Sequence, residues 1–312
     1  MLKLSSNWPT SIGLMKRLKK SSDPLFAIAA ENYKNDILSL RKIGTYRSYS
    51  RTADKLVEYF GHVKVSTIEK QHIQQYIVKI ANQAGVSTVR RHLIVFKGIM
   101  EYADDNWEMP TRLKKPRAIK PKQEFYTFEE VRRLLSHSSG LLKLLIMTLA
   151  ETGMRLGEAL SLRCEDVENL TIEVNKNVYE GWIQDTPKTN SSIRRFYISN
   201  TLNKELGSVL TSDKKKFLFE GSNKRPLWPQ TLTYELQQVC KNAGVKYKAF
   251  HAFRRGNVTE LILNLQVPER IVGYRIGHLS ESITLGVYCR AQEGCDKPWI
   301  EKIEAALYLT NS

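Results

Sequence analysis

The sequence has few cysteines and no long apolar run, and each absence excludes a class of protein. Its 312 residues include four cysteines, and no two of them form a CxxC pair. This argues against a disulfide framework and against a cysteine-based zinc site. The most apolar run, 140–150, is far below the roughly 20 residues of a membrane span, and the N-terminus lacks the features of a secretory signal. We therefore expect a protein of the cytoplasm or nucleoid that does not contact a membrane.

Acidic residues are scarce relative to basic ones. Asp and Glu number 32 against 48 Lys and Arg, which gives a formal net charge of +16 at pH 7. A surplus of this size indicates a polyanionic partner, most often nucleic acid. The acidic residues also form no cluster like those that hold the paired magnesium ions of many nucleases. The sequence therefore predicts a protein that uses neither a metal nor another cofactor.

The first half of the chain has helical periodicity. The second of its helices begins with Ser66 and Glu69 at the spacing of a capping box. Gly61 and Gly85 follow the apolar patterns of the first and second helix, where we expect each helix to stop. Apolar residues recur at helical intervals over 45–61, 66–85 and 87–103.

The third of these helices, 87–103, has a basic face. Arg90, Arg91 and Lys97 lie away from its apolar stripe. They predict a surface that binds DNA phosphates, and the alternative is an ordinary solvated face.

A basic, proline-rich segment then interrupts the helical pattern. Residues 109–123 contain three prolines, six basic residues and no acidic one. Proline at this density keeps a chain extended, which suits a strap along a phosphate backbone; a solvated hinge is the alternative. The candidate DNA contacts in this segment are Arg112, Lys114, Lys115, Arg117 and Lys120.

A second unit follows, in which helices are combined with a small sheet. Thr127 and Glu130 have capping-box spacing, and a buried helix follows over 141–153. We expect a second helix over 155–167, strands over 170–176 and 194–199, and helices again from 229 onward. The predicted fold is mainly α with a small β-sheet. Its divisions are an N-terminal extension 1–23, a helical domain 24–108, a linker 109–124 and an α+β domain 125–312.

Arg155 and Lys188 are the first candidate site residues. Arg155 follows a glycine turn and begins a helix, where its charge opposes the helix dipole. Because the same position attracts anions, Arg155 is a candidate anion ligand; the alternative is pairing with a local carboxylate. Lys188 lies in a polar turn between strands, where most lysines are merely solvated.

A second group of candidates lies towards the end of the chain. His251 and Arg254 are three residues apart and would share a helix face, with Phe250 and Phe253 anchoring that helix in the core. His278 follows a glycine, and Tyr288 comes ten residues later. A core or interface ring is the alternative for the tyrosine.

Taken in order, these segments resemble the tyrosine recombinases, also called phage-type integrases. "TGMRLGEALSL" is similar to the first box of that family, and "TPKTNSSIRRFYI" is similar to its β-hairpin lysine segment. "HAFRR" and "RIGHLSESITLGVY" resemble its second box. The resemblance covers nearly the whole chain. It implies a two-domain DNA clamp, with a helical core-binding domain at 24–108 and a catalytic domain at 125–312.

The chain departs from the family pattern in a few places. Arg255 and Gly256 stand where many members have histidine and threonine, and the step from His278 to Tyr288 is ten residues where some members have nine. About 25 residues precede the core-binding domain, too few for the arm-binding domain of many phage integrases. No departure removes a catalytic group, although the longer step leaves the placement of the tyrosine open.

The resemblance implies a mechanism and a set of roles. Tyr288 would attack a DNA phosphate to give a 3′-phosphotyrosine, without metal or ATP. Arg155 and Arg254 would clamp the phosphate, and His278 would donate a further hydrogen bond to it. His251 would assist removal of the phenol proton. Lys188 would protonate the departing 5′-oxygen.

The biological role stays open between several recombination reactions. Integration and excision of a prophage or mobile element is the first expectation; Xer-like dimer resolution and DNA inversion are alternatives. A type IB topoisomerase and a non-catalytic DNA-binding protein are more distant ones. The expected partners are double-stranded DNA with a specific site, three further copies of the chain on that DNA, and accessory bending or directionality factors. The free protein is expected to be a monomer. The helix predicted within 296–310 would dock either on a neighbouring subunit or on its own domain.

Overall fold

The computed structural model describes residues 23–117, 123–179, 182–184, 193–277 and 294–309. The chain divides into two compact units, 1–121 and 122–312. No helix of the described residues is long and apolar enough to cross a membrane.

The described residues of the first unit form a bundle of four α-helices around an aromatic core. Phe26, Phe60 and Phe96 meet at its centre, with ring centroids 5.2 to 5.7 Å apart. Rings at these distances add to the stabilisation that their burial provides. The apolar stripes predicted for the second to fourth helices pack against this centre. The helices are α1 Phe26–Asp36, α2 Ile43–Phe60, α3 Lys70–Gln83 and α4 Val86–Ala103.

The predicted start and end of α3 are wrong by a few residues. Ser66 does not cap the helix, because its amide and hydroxyl donate to the Asp23 carboxylate at 3.0 and 2.8 Å. Glu69 precedes the helix instead, and its amide donates to Nδ1 of His72 at 3.1 Å. At the other end, α3 stops before Ala84, and Gly85 precedes α4.

The basic segment after α4 contacts the first unit over part of its length. Met109 and Leu113 pack against the bundle core. The Gln74 side chain accepts from the Lys114 amide at 2.8 Å and donates to the Lys114 carbonyl at 3.0 Å. The division of the chain at 109–124 stays a prediction, but this segment is held to α3 at least as far as Lys114.

The second unit is built around the buried helix α6. Ten of its thirteen residues are buried, so other parts of the unit cover this helix on nearly every side. The capping box at α5 is confirmed: the Glu130 amide donates to Thr127 Oγ1 at 3.1 Å, and the Thr127 amide donates to Glu130 Oε2 at 3.0 Å. The helices are α5 Phe128–Ser136, α6 Gly140–Thr152, α7 Leu156–Leu160, α8 Asn200–Gly207, α9 Pro229–Asn242, α10 His251–Thr259, α11 Glu269–Ile276 and α12 Ile300–Tyr308.

The described residues of the second unit also form five short strands. Strands β1 Val167–Glu168, β2 Thr171–Val174 and β5 Arg194–Tyr197 form an antiparallel sheet in the order β1-β2-β5. Strands β3 Asn177–Tyr179 and β4 Trp182–Gln184 form a separate antiparallel pair that the sequence did not predict. The mainly α fold with a small sheet is confirmed.

The helix predicted over 155–167 is wrong in its second half. α7 ends at Leu160, because the chain after it pairs with a distant segment. The Leu218 amide donates to the Leu162 carbonyl at 2.9 Å, and the Cys164 amide donates to the Lys216 carbonyl at 3.0 Å. These long-range bonds hold the chain in an extended form that a helix cannot adopt.

The C-terminal helix α12 packs on its own domain in this structure. Ile300, Ile303 and Leu307 are buried in the core of the second unit. The Thr201 amide donates to Glu304 Oε1 at 2.7 Å, which ties α12 to α8. Of the two predicted arrangements, the structure therefore contains the one within a single chain.

Candidate active site

A tight turn after α6 places Arg155 at the start of α7. Gly153 ends α6 with φ +65°, a conformation that glycine adopts without strain. A Cβ on Gly153 would also lie 2.6 Å from Asn257 Oδ1, so no larger residue fits. Two residues later, Arg155 precedes the first turn of α7, as the sequence predicted.

Arg155 shares one buried carboxylate with a second arginine. Its Nη1 lies 2.7 Å from Glu158 Oε1, and Nη2 of Arg194 lies 2.9 Å from Glu158 Oε2. Burial raises the pKa of Glu158, but the nearby Arg194 and Arg155 charges outweigh burial and hold that pKa below its ordinary value. Glu158 is therefore ionised at neutral pH. The side chain of Arg155 is 41% exposed and that of Arg194 only 1%, so Arg155 is the member open to a ligand.

Arg254 is buried beside this cluster. Its guanidinium donates to the carbonyls of Gly153 and Ile276, both at 2.9 Å, and it forms no ion pair with any described residue. Burial, and then the charge of Arg155, lower the pKa of Arg254 to about 10. Arg254 is therefore still a cation at neutral pH, and its environment disfavours the charge. A bound anion would remove that penalty.

The cluster as a whole carries an excess of positive charge. Three guanidinium groups surround one carboxylate, so the group of Arg155, Arg194, Arg254 and Glu158 has a net charge of +2. Planar guanidinium groups are suited to bind the oxygens of phosphate. The geometry therefore defines an anion site that would accept a phosphodiester.

His251 and Arg254 line the same recess, as their spacing predicted. This recess has a volume of about 530 Å³, and Ile276 forms part of its wall. His251 is exposed at the first residue of α10, whereas Phe250 and Phe253 are buried behind it. The phenylalanines therefore anchor the helix that carries both polar residues.

A close backbone crossing requires glycine at position 256. A Cβ at this position would lie 2.0 Å from the Tyr126 carbonyl oxygen. The segment before α5 crosses α10 at this point, and the Tyr126 amide donates to the Ala252 carbonyl at 3.3 Å. Only glycine permits this close crossing.

The remaining predicted site residues fall into two groups. Lys120, Lys188, His278 and Tyr288 lie outside the described residues, so their roles stay predictions. The other candidate DNA contacts are exposed in the first unit, as a DNA-binding surface requires, and their role also stays a prediction. They are Arg90, Arg91, Lys97, Arg112, Lys114, Lys115 and Arg117.

The alternative for Arg155, pairing with a local carboxylate, is confirmed by its contact with Glu158. The sequence reasoning missed Arg194, the second partner of that carboxylate. Arg194 lies on the same face of β5 as the buried Phe196, so its side chain points inward. An arginine at an inward strand position needs an anion or several acceptors. That alternation was the signal in the sequence, although nothing in it named Glu158 as the partner.

The described residues contain no group of three or more His, Cys, Asp or Glu side chains that could hold a metal ion. Cys164, Cys240 and Cys295 are free thiols, and Cys289 lies outside the described part of the chain.

Both units match domains of one protein family. Residues 124–294 match the phage integrase family, and residues 28–81 match the N-terminal SAM-like domain of phage integrases. Because the first match covers more than half of the chain, the protein belongs to the phage integrase family.

Individual relatives agree with this assignment. The integrase of Staphylococcus phage L54a is 23% identical over 78% of this chain and 81% of its own length. A XerC-like tyrosine recombinase of Caldanaerobacter subterraneus is 28% identical over 78% of this chain and 72% of its own. A lambda integrase tetramer bound to a Holliday junction has the same fold, with a TM-score of 0.64 at 14% identity over 90% of this chain and 84% of that one.

Proposed function

We propose that this recombinase integrates and excises a prophage or other mobile element. It would cut DNA at a specific site through a 3′-phosphotyrosine and rejoin it to a new partner strand. The main support for this cutting and rejoining chemistry is the anion site around Glu158, which has a net charge of +2. The phage integrase that covers most of the chain supports the biological part.

Tyr288 is the proposed nucleophile. Its phenol oxygen forms a bond to phosphorus while the bond to the 5′-oxygen breaks, so the DNA keeps the same number of phosphoester bonds. His251 takes the phenol proton, and Lys188 supplies a proton to the departing 5′-hydroxyl. Because the bond energy is retained in the phosphotyrosine, the reverse attack by a 5′-hydroxyl rejoins the DNA without ATP.

The arginines are proposed to stabilise the transition state. Negative charge grows on the non-bridging oxygens as the phenol attacks, and Arg155 and Arg254 would bind those oxygens together with His278. Arg194 holds Glu158 in place from the buried side. These charges perform the role that a metal ion has in many nucleases, so the scheme requires none.

DNA binding and assembly are proposed on the same basis. The surplus of basic residues and the exposed cations of the first unit favour double-stranded DNA as the partner. The lambda integrase tetramer on a Holliday junction supports a tetramer on DNA, formed from free monomers and assisted by accessory factors. The protein would act in the cytoplasm, at the nucleoid.

Two other roles remain as alternatives within this chemistry. The XerC-like relative favours dimer resolution as the second candidate, and inversion of a DNA segment uses the same reaction. A type IB topoisomerase would relax any supercoiled plasmid, whereas this protein should leave a plasmid without a target site supercoiled.

Capture of covalent complexes tests the proposed function. The protein is mixed with sheared genomic DNA of its source, with EDTA present, and complexes that survive SDS are collected and sequenced. We expect adducts concentrated at one or a few sequences, at the ends of an integrated element. An absence of adducts would refute the chemistry, and adducts spread over all sequences would favour a topoisomerase.

The basic segment should contribute to the salt dependence of DNA binding. Replacing Arg112, Lys114, Lys115 and Arg117 by alanine removes four exposed cations. Because each phosphate contact releases a counterion, the slope of log K against log salt should become less steep by about 3 to 4. The slope is measured by fluorescence anisotropy between about 50 and about 200 mM salt.

A second variant that loses the same charge tests whether the slope depends on phosphate contacts by this segment or only on the total charge of the protein. Replacing Lys204, Lys214, Lys215 and Lys241 by alanine removes four exposed lysines of the second unit. We expect a smaller change of slope in this control. Equal changes in the two variants would show that only total charge matters and that the segment is a solvated hinge.

A further inference from the structure

A fully buried ion pair joins the start of the C-terminal segment to α11. The side chains of Arg275 and Asp296 are both 0% exposed, and Nη1 of Arg275 lies 2.5 Å from Asp296 Oδ2. Arg275 is the penultimate residue of α11, and Asp296 precedes the short turn that leads into α12. The pair therefore links two segments that flank residues 278–293.

The same pair also binds both backbone groups of Tyr197 at the end of β5. The Tyr197 amide donates to Asp296 Oδ2 at 2.9 Å, and Nη1 of Arg275 donates to the Tyr197 carbonyl at 2.9 Å. Nη2 of Arg275 donates to the carbonyl of Glu151 near the end of α6, at 3.2 Å. Four segments of the second unit therefore meet at this pair: the ends of α6, β5 and α11 and the start of the C-terminal segment.

The backbone of this corner holds the anion site. The carbonyl of Arg275 accepts from Nε of Arg194 at 2.6 Å, and the next carbonyl, of Ile276, accepts from Nη2 of Arg254 at 2.9 Å. Arg194 also lies on β5, three residues before Tyr197. Two of the three guanidinium groups of the site are therefore oriented by a backbone that the Arg275–Asp296 pair fixes.

The pair is poorly suited to stability alone. Arg275 Nε and Asp296 Oδ1 are buried without a hydrogen-bond partner, so the two groups do not form a bidentate fork. A buried ion pair of this kind is often no more stabilising than well-packed apolar residues of similar volume. The function of the pair therefore depends on the fixed direction of its hydrogen bonds, which orient the backbone around it.

We infer that Arg275 and Asp296 are positioning residues for the phosphate clamp. They set the last two carbonyls of α11, and these carbonyls aim Arg194 and Arg254. Because Asp296 belongs to the C-terminal segment, docking of that segment on its own domain completes the clamp. This inference rests on the proposed function, in which the clamp binds the scissile phosphate.

The test compares Asp296→Asn with Glu304→Gln. Asp296→Asn keeps the shape of the side chain and removes its charge, whereas Glu304→Gln alters a C-terminal contact, to the Thr201 amide, that does not reach the clamp. Single-turnover formation of the covalent adduct is measured on saturating DNA. We expect Asp296→Asn to slow it by up to about 100-fold, the scale of a small misplacement of catalytic groups, and Glu304→Gln to leave it near the wild-type rate.

A neutral substrate distinguishes positioning from general damage. In a methylphosphonate, one charged non-bridging oxygen is replaced by a methyl group, so the guanidinium charges matter less. The deficit of Asp296→Asn should therefore shrink on methylphosphonate DNA. An equal deficit on both substrates would overturn the inference.

A double variant guards against loss of folding. Arg275→Met with Asp296→Leu replaces the pair by apolar residues. It also removes these partners of the Tyr197 amide and carbonyl, so its melting temperature should fall, and a thermal melt must show that it is folded at the assay temperature. We expect it to cleave slowly, again with relief on methylphosphonate; wild-type cleavage would refute the positioning role. If the wild-type protein itself forms no adduct, the proposed function fails instead, so the two failures can be told apart.

Discussion

Tyr288→Phe is expected to bind the target DNA normally and to form no covalent complex with it. The substitution removes only the phenol oxygen that would bond to phosphorus, so the loss of cleavage should be complete. Binding depends on many contacts between cations and phosphates and should not change. The measurement is an SDS gel of protein and labelled DNA carrying the captured site, with an anisotropy titration of the same DNA.

Tyr234→Phe is the matched control for this experiment. Tyr234 lies on α9 and is 64% exposed, so loss of its hydroxyl should change neither adduct nor affinity. An SDS-resistant complex in Tyr288→Phe would show that another residue is the nucleophile.

Arg254→Ala should lower the rate of cleavage by about 10² to 10³, the usual effect of removing one preorganised donor from a transition state. Arg254→Lys should recover little of this rate, because an ammonium group cannot form the planar fork that binds two oxygens. DNA affinity should change much less than the rate. Single-turnover adduct formation measures the rate, and anisotropy measures the affinity.

Two controls keep this result interpretable. The alanine variant leaves the carbonyls of Gly153 and Ile276 without a donor, at a cost of about 1 to 3 kcal/mol for each buried group. A thermal melt must therefore show that it is folded at the assay temperature. Arg133→Ala removes a surface arginine that also binds a backbone carbonyl, of Gly244, and should cleave at the wild-type rate. Wild-type cleavage by a folded Arg254→Ala would exclude Arg254 from the clamp.

Local patterns predicted much of the fold. The apolar stripes of α2, α3 and α4 follow from helical periodicity, and the Thr127 capping box follows from residues three apart. These features depend on neighbours in the chain, which the sequence displays directly. The predicted ends of helices were less accurate. Ser66 was expected to cap α3, but it bonds to Asp23, 43 residues away.

Part of the candidate site was also predictable, because it depends on residues that are neighbours in the chain. Arg155 at a helix start, and His251 with Arg254 on one helix face, are local arrangements and appear as predicted. Arg194 was missed, because its importance comes from a carboxylate 36 residues earlier. Lys188, His278 and Tyr288 remain predictions that the biochemical tests above address.

By itself, the sequence determined the helical character of both units, the basic surplus, and the order of the residues that match the phage integrase family. Those properties are set by composition and by spacing along the chain. Only the packing of distant segments brings Arg194 to Glu158, ends α7 at Leu160, and brings Asp296 to Arg275. Each of these depends on which distant segments pack together, because a buried charge or an extended backbone is stable only where folding brings its partner to it.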